Sequence, residues 1–284
     1  MKTFKRIFLI SSFAIFLAGP AQAEEAPSVR LCGKQAQGEI LQGKASGYRS
    51  VIVNGKKHKI SSSGDFVIAF GRDQKKEVPL ILIDKDGGKK NSMLSIGKTQ
   101  WDIQNIKGLP PRKVTPSPED QQAIDSERSL VRGSLSGNLA DTYWKKGFIR
   151  PVEGRISGWF GGQRIMNGHK MNPHGGTDIA APEGTPVKAA SDGVITLNAP
   201  NTFYSGNVIV IDHGQGLQTI YAHLQKMNVK KGQKVKQGEI IGTVGKTGRV
   251  TGPHLHWGAS LRGTRFNPFS LLNINKNNEL CFNI

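Results

Sequence analysis

From about Leu31 to Leu109, apolar and polar positions alternate with a period of two in short runs, the pattern of half-buried strands. "VIVNGKKHKI" (51–60) carries Asn-Gly between two such runs, a strong hairpin signal. "FVIAF" and "LILID" read as short apolar strands, and "DKDGGKK" as another turn. These predict a small N-terminal β-domain over 24–110, with His58 a solvated strand residue. "GLPPRKVTPSP" (108–118) breaks the pattern. Ser117 then reads as an N-cap, Pro118 as the first helical residue and Asp120 as the end of an S-x-x-D start. The spacing predicts a helix over about 118–132, stopped at Gly133, within a linker of 111–147. Ala123, Ile124, Leu130 and Val131 would form its apolar face. From about Phe148 the alternation returns with frequent glycines. "GVITLNA", "GNVIVIDHG" and "QTIYAHL" are expected strands, and "KKGQKVKQGEIIGTVGKTG" places glycines at tight turns. The chain is therefore expected to be mainly β: a C-terminal antiparallel β-domain over 148–284, the smaller N-terminal one, and a connecting helix.

The first 23 residues stand apart. A basic start (Lys2, Lys5, Arg6), an apolar run from Ile7 to Leu17 and the ending Ala21-Gln22-Ala23 make a secretory signal peptide. The run falls short of the roughly 20 residues a membrane span needs, so no transmembrane span is expected once the signal is removed. Export to a periplasm or cell envelope follows. Removing the signal leaves 36 Lys and Arg against 21 Asp and Glu, a net charge of +15. Such a balance implies an anionic partner, and outside the inner membrane that is cell wall or lipid surface before nucleic acid. Cys32 and Cys281 lie near opposite ends of the chain, and an oxidising compartment favours a disulfide joining the termini.

Histidine carries the candidate chemistry. In "TGPHLHW" (251–257), His254 and His256 would project from one face of a strand, with Leu255 turned to the core. In "NPHGGTDIAAP" (172–182), His174 and Asp178 are four apart, but Pro173 and two glycines argue against a helix. A loop-to-strand turn could bring the pair together. In "QTIYAHL", alternation puts Thr219, Tyr221 and His223 on one face and Ile220, Ala222 and Leu224 on the other. His213 reads as a turn or structural residue, and His169 as exposed. Imidazole and carboxylate are both zinc ligands, but His174 and Asp178 alone are equally a surface hydrogen bond, His254 and His256 alone are weak evidence, and His223 alone reads as a satisfied core histidine.

Taken together, "HGGTD" (174–178), "YAHL" (221–224) and "GPHLHW" (252–257), with "GTPVKAASDGVI" and "GNVIVIDHGQGLQTIYAHL" around them, resemble the lysostaphin/LytM-type zinc endopeptidases that cut peptidoglycan. The likeness covers roughly 148–270. It implies a β-domain with an open groove and one zinc per chain held by His174, Asp178 and His256. His223 and His254 would be non-ligand catalytic histidines, and peptidoglycan stem peptides the substrate. D-alanyl–diaminopimelate cross-links are expected if the host is Gram-negative. No H-E-x-x-H helix is present, so the glutamate base of that protease class is absent. The alternative is a non-enzymatic relative that activates another hydrolase or binds wall. All five positions are filled here, which favours an enzyme. The N-terminal domain is expected either to hold the enzyme latent or to engage an envelope partner. A basic nucleic-acid binder explains the charge but neither the export signal nor the histidine spacing.

Overall fold

The computed structural model describes residues 27–108, 114–135, 137, 139, 141–276 and 280–284. The leader 1–23 and residues 109–113 of the proline-rich break lie outside the described residues. The N-terminal part is a sandwich of two four-stranded antiparallel sheets. One runs Lys56–Lys59, Tyr48–Val53, Glu77–Asp84, Lys89–Ser95 in spatial order; the other runs Cys281–Asn283, Ser28–Cys32, Ile40–Ser46, Asp65–Ala69. Val29, Leu31, Leu41, Phe66 and Ile68 of one sheet pack against Val51, Val53, Leu80 and Leu82 of the other. Strand alternation places these side chains on the inner faces. The Asn54-Gly55 turn joins Tyr48–Val53 to Lys56–Lys59. Both residues have positive φ, 51° and 72°, as the tightest hairpin turn demands.

The C-terminal part is a ten-stranded antiparallel sheet. Its main path is Lys234–Val235, Gly193–Thr202, Gly206–Asp212, Leu217–Met227, His254–Leu261, Thr177–Ala180, Arg155–Gly158. One face of this sheet buries Ile179, Ile209, Ile211, Tyr221, Leu224, Leu255 and Trp257 in the main core. The opposite face carries a smaller apolar patch of Leu197, Val208, Val210, Ile220 and Ala222.

The two parts are tied together in three ways. The last strand, Cys281–Asn283, returns to pair with Ser28–Cys32, and Cys32 is disulfide-bonded to Cys281. Ile103–Ile106 pairs in parallel with Gln163–Met166. Ile40, Val67 and Ala69 are buried within the core cluster of the larger sheet. Apolar side chains of the smaller part thus face two cores.

The helix spans Pro118–Ser134 and opens with a full capping box, Ser117 and Asp120 each bonding the other's backbone N–H. Its buried face differs from the expected one. Ile124 and Glu127 are buried and Val131 is half-buried, whereas Ala123 is exposed and Leu130 is 45% exposed. The contacting stripe follows i, i+3, i+7 and includes a carboxylate, so apolar residues alone misplace it. His58 is likewise not solvated. It is buried, because the turn carrying Arg262 approaches from the larger part. Burial, then the charges of Arg262 and Lys56, push its pKa down to about 4. His213 is fully buried, its Nδ1 donating to Asp192 O at 2.6 Å, and His169 is exposed.

Candidate metal centre and groove

Three neighbouring strands build the centre. Asp178, on Thr177–Ala180, faces His256, on His254–Leu261, as a direct cross-strand pair. On the other side of His254–Leu261, Ala222 is the residue opposite His256. His174 arrives from the loop before Thr177. That loop can close over the strand because residue 176 is glycine. A Cβ there would lie 2.5 Å from Trp257 O and 2.6 Å from His256 Nε2.

His174 Nε2 and His256 Nδ1 stand 3.0 and 2.8 Å from Asp178 Oδ1, and 3.1 Å from each other. A carboxylate oxygen and two imidazole nitrogens held this close satisfy one cation. His174, Asp178 and His256 are the three-residue group among the described residues able to hold a metal. His174 Nδ1 donates to Trp159 O at 3.0 Å, which leaves the Nε2 lone pair facing the centre. Arg164 Nη2 lies 3.2 Å from Asp178 Oδ2, the carboxylate oxygen turned away from both histidines. Burial would raise the Asp178 pKa. Hydrogen bonds and charge from His174 and His256 outweigh it and hold the carboxyl well below the usual carboxylate range.

His254 and His223 stand beside this group without joining it. Their rings are 4.8 Å apart, and His223 is 5.9 Å from the His256 ring. Each Nδ1 donates to a backbone carbonyl at 2.9 Å, His223 to Thr247 and His254 to Gly252. Both rings therefore turn Nε2 inward. Burial, then the neighbouring His256 and His254, push the His223 pKa down to about 3, so it is neutral near pH 7.

Simple alternation does not describe His223. Between Tyr221 and Leu224 the strand carries one more residue than its partner does between Ile209 and Asn207. His223 takes a φ of 63° at this bulge. Tyr221 and Leu224 stay in the main core, while Ala222 and His223 both line the groove. His223 thus shares a face with Ala222 and His256, not with Tyr221. The extra residue re-aims an imidazole that a regular strand would have turned into the core.

The groove is a cavity of about 1230 Å³ lined by these residues and by one side of the helix. Glu127 fastens that helix. Its carboxylate accepts from Tyr204 N (2.7 Å), Ser205 N (3.0 Å) and Ser205 Oγ (2.5 Å), and Ser205 O in turn accepts from His223 N at 2.8 Å. Beyond the helix end, Leu135 packs on Ile220 and Ala222. The expected histidines and Asp178 all converge. Arg164 and Glu127 were missed, because neither falls in a motif and each finds its partner only across the fold.

Comparison with known proteins points to one family. The profile of Peptidase family M23 matches residues 172–268, the segment holding all five site residues. The chain carries a Peptidase family M23 domain. The peptidoglycan DD-endopeptidase ShyA of Vibrio cholerae is 50% identical over 150 residues, covering 52% of this chain and 32% of ShyA. The DD-carboxypeptidase/endopeptidase Mpg of Neisseria meningitidis is 47% identical over 129 residues, covering 45% of this chain and 30% of Mpg. The chain thus spans about a third of the length of these relatives. A crystal structure described as a peptidase M23 from Pseudomonas aeruginosa superposes with a TM-score of 0.67 at 27% identity, covering 85% of this chain and 96% of that one. The family implies a bound metal, and the donor set of His174, Asp178 and His256 fits one. Among the described residues no helix is long and apolar enough to cross a membrane.

Proposed function

We propose that this protein is a zinc-dependent endopeptidase of the cell envelope that hydrolyses peptide cross-links of peptidoglycan, with D-alanyl–diaminopimelate bonds as substrate. The observation that carries this reading is the convergence of the three donor atoms on one point with two inward-facing imidazoles beside it. His174, Asp178 and His256 are the zinc ligands. A three-ligand zinc supplies, when bound, an acidified water and a Lewis acid for the scissile carbonyl. His223 and His254 are the catalytic residues. Their inward-facing Nε2 atoms accept the proton of the attacking water and return one to the departing nitrogen. Arg164 orients Asp178 through its second carboxylate oxygen. Export through the leader and the net positive charge suit an anionic wall.

The helix Pro118–Ser134 gives this enzyme a latent state. It closes one side of the groove through Glu127, next to the loop that positions His223. The element held over the groove is thus the linker helix, and the N-terminal β-domain leads into it.

Purified cross-linked sacculi, incubated with the zinc-loaded full chain, should release uncross-linked muropeptides by mass spectrometry. If a control hydrolase opens the same cross-links and this protein leaves them intact, with and without Glu127→Ala, the endopeptidase reading fails. A non-enzymatic wall-binding or hydrolase-activating role would then stand.

A further inference from the structure

We propose that Arg265 is a specificity-determining residue that binds a substrate carboxylate on the leaving side of the scissile bond, on the carbon bonded to the departing nitrogen. This deepens the endopeptidase reading and rests on it.

Arg265 lies on the short strand Thr264–Phe266, which pairs with His254–Leu261 and sets Arg265 opposite Ser260. Its side chain reaches back along the sheet and lines the groove beside His256 and Ala222. The guanidinium settles over Gly258. Nη1 lies 3.3 Å from where a Cβ at 258 would stand, with Ile220 at the same distance. Gly258 is two residues from His256, on the same face of the strand. The absent side chain at 258 leaves the space the guanidinium fills, so a cation continues the row begun by His254 and His256.

That cation has no partner of its own. Among the described residues no carboxylate and no hydrogen-bond acceptor meets the Arg265 guanidinium, whereas Arg164, Arg128, Arg150 and Arg72 each pair with an acid. Burial pushes its pKa down to about 10, which leaves it charged near neutral pH. A half-buried cation in the groove wall without a counter-ion is left partly uncompensated. An arriving carboxylate compensates it and is held by two parallel hydrogen bonds. The turn that carries Arg265 is itself fixed. Lys56 Nζ, from the N-terminal part, donates to Arg262 O and Thr264 Oγ1, both at 3.0 Å.

The spacing fits one substrate geometry. Two residues of strand separate backbone positions 256 and 258, about 6.7 Å, and the guanidinium lies over the second. In a peptide, the carboxyl carbon next to the scissile nitrogen lies about 3.5 Å from the scissile carbonyl carbon, one residue repeat. A charge-assisted hydrogen bond adds about 2.8 Å. In a D-alanyl–diaminopimelate cross-link, the diaminopimelate carbon bonded to the scissile nitrogen carries a free carboxylate. A chain ending in a single residue beyond the bond presents the same group.

Two synthetic muropeptides test this, one with that carboxylate free and one with it amidated. kcat/KM is measured on both for the full-length wild type, Arg265→Met and Arg265→Lys, each with its zinc content. The wild type should prefer the free carboxylate. Arg265→Met should lose about 30-fold or more on that substrate, with a change within about 3-fold on the amide. Arg265→Lys should fall between, because it keeps the charge but not the fork. Equal losses on both substrates, no loss on the free carboxylate, or loss of zinc from both variants would overturn the assignment and leave a structural arginine. A wild type that cuts both equally also overturns it, while the endopeptidase reading survives. A zinc-loaded wild type that cuts neither overturns both.

Discussion

Asp178 and His256 face one another across an antiparallel strand pair, Oδ1 to Nδ1 at 2.8 Å, although 78 residues separate them in the chain. The register of two strands, not a local motif, brings these candidate donor atoms together. His256→Ala should therefore lose metal and activity together. His254→Ala should keep one metal per chain, because its Nε2 stands 3.7 Å from Asp178 Oδ1, outside the tight trio. Its kcat should fall about 10²- to 10⁴-fold. Metal analysis beside a muropeptide assay distinguishes the two, and a His254→Ala protein with full rate would refute the division of roles.

Arg164 braces the carboxylate oxygen that the histidines leave free. Arg164→Met should weaken metal binding about 10- to 100-fold, with the fold intact. Competition with a chelator measures this, and an unchanged dissociation constant would show that the bond does not orient Asp178.

Glu127 holds the helix to the loop at Tyr204 and Ser205 by three hydrogen bonds. Its replacement by Ala should loosen the helix by about 3 kcal/mol and raise the rate on cross-linked substrate severalfold. Amide exchange in Pro118–Ser134 should rise in parallel. Faster exchange with no gain in rate would mean that the helix does not gate the groove.

The Cys32–Cys281 bond closes a loop with a sequence separation of 249 residues. Reduction, or Cys32→Ser with Cys281→Ser, should cost about 3–5 kcal/mol of stability, chiefly by freeing the unfolded chain. Urea denaturation with and without reductant checks it, and coincident midpoints would contradict it.

His58 and His213 each titrate near 4 in the folded protein, for the same first reason, burial. Unfolded histidine titrates near 6.5. Between these values the unfolded chain binds more protons, so their stabilisation is full above pH 6.5 and is lost as pH falls towards 4. Stability measured by denaturant at pH 7, 6 and 5 should decline, by up to about 1.4 kcal/mol per unit for each histidine. His58→Leu should flatten this slope. Equal slopes in both proteins would show that His58 does not contribute.

Much of this was legible in the chain. Period-two alternation marked the strands, Asn54-Gly55 the hairpin, and Ser117-Pro118 the start of the helix, because each is a local backbone preference that packing did not override. His174, Asp178, His223, His254 and His256 stood out as chemistry-bearing residues in short motifs. Tertiary structure decided what depends on a partner far along the chain. The bulge at His223 reverses the side its imidazole faces, since one inserted residue shifts the period for all that follow. His58 is buried because the Arg262 turn closes over it, and Glu127 because a helix carboxylate found three donors on a distant loop. Arg265 sits beside the site because residue 258 has no side chain. Local sequence fixes direction and periodicity, whereas burial, pairing and charge environment are set by elements that meet only when the sheets assemble.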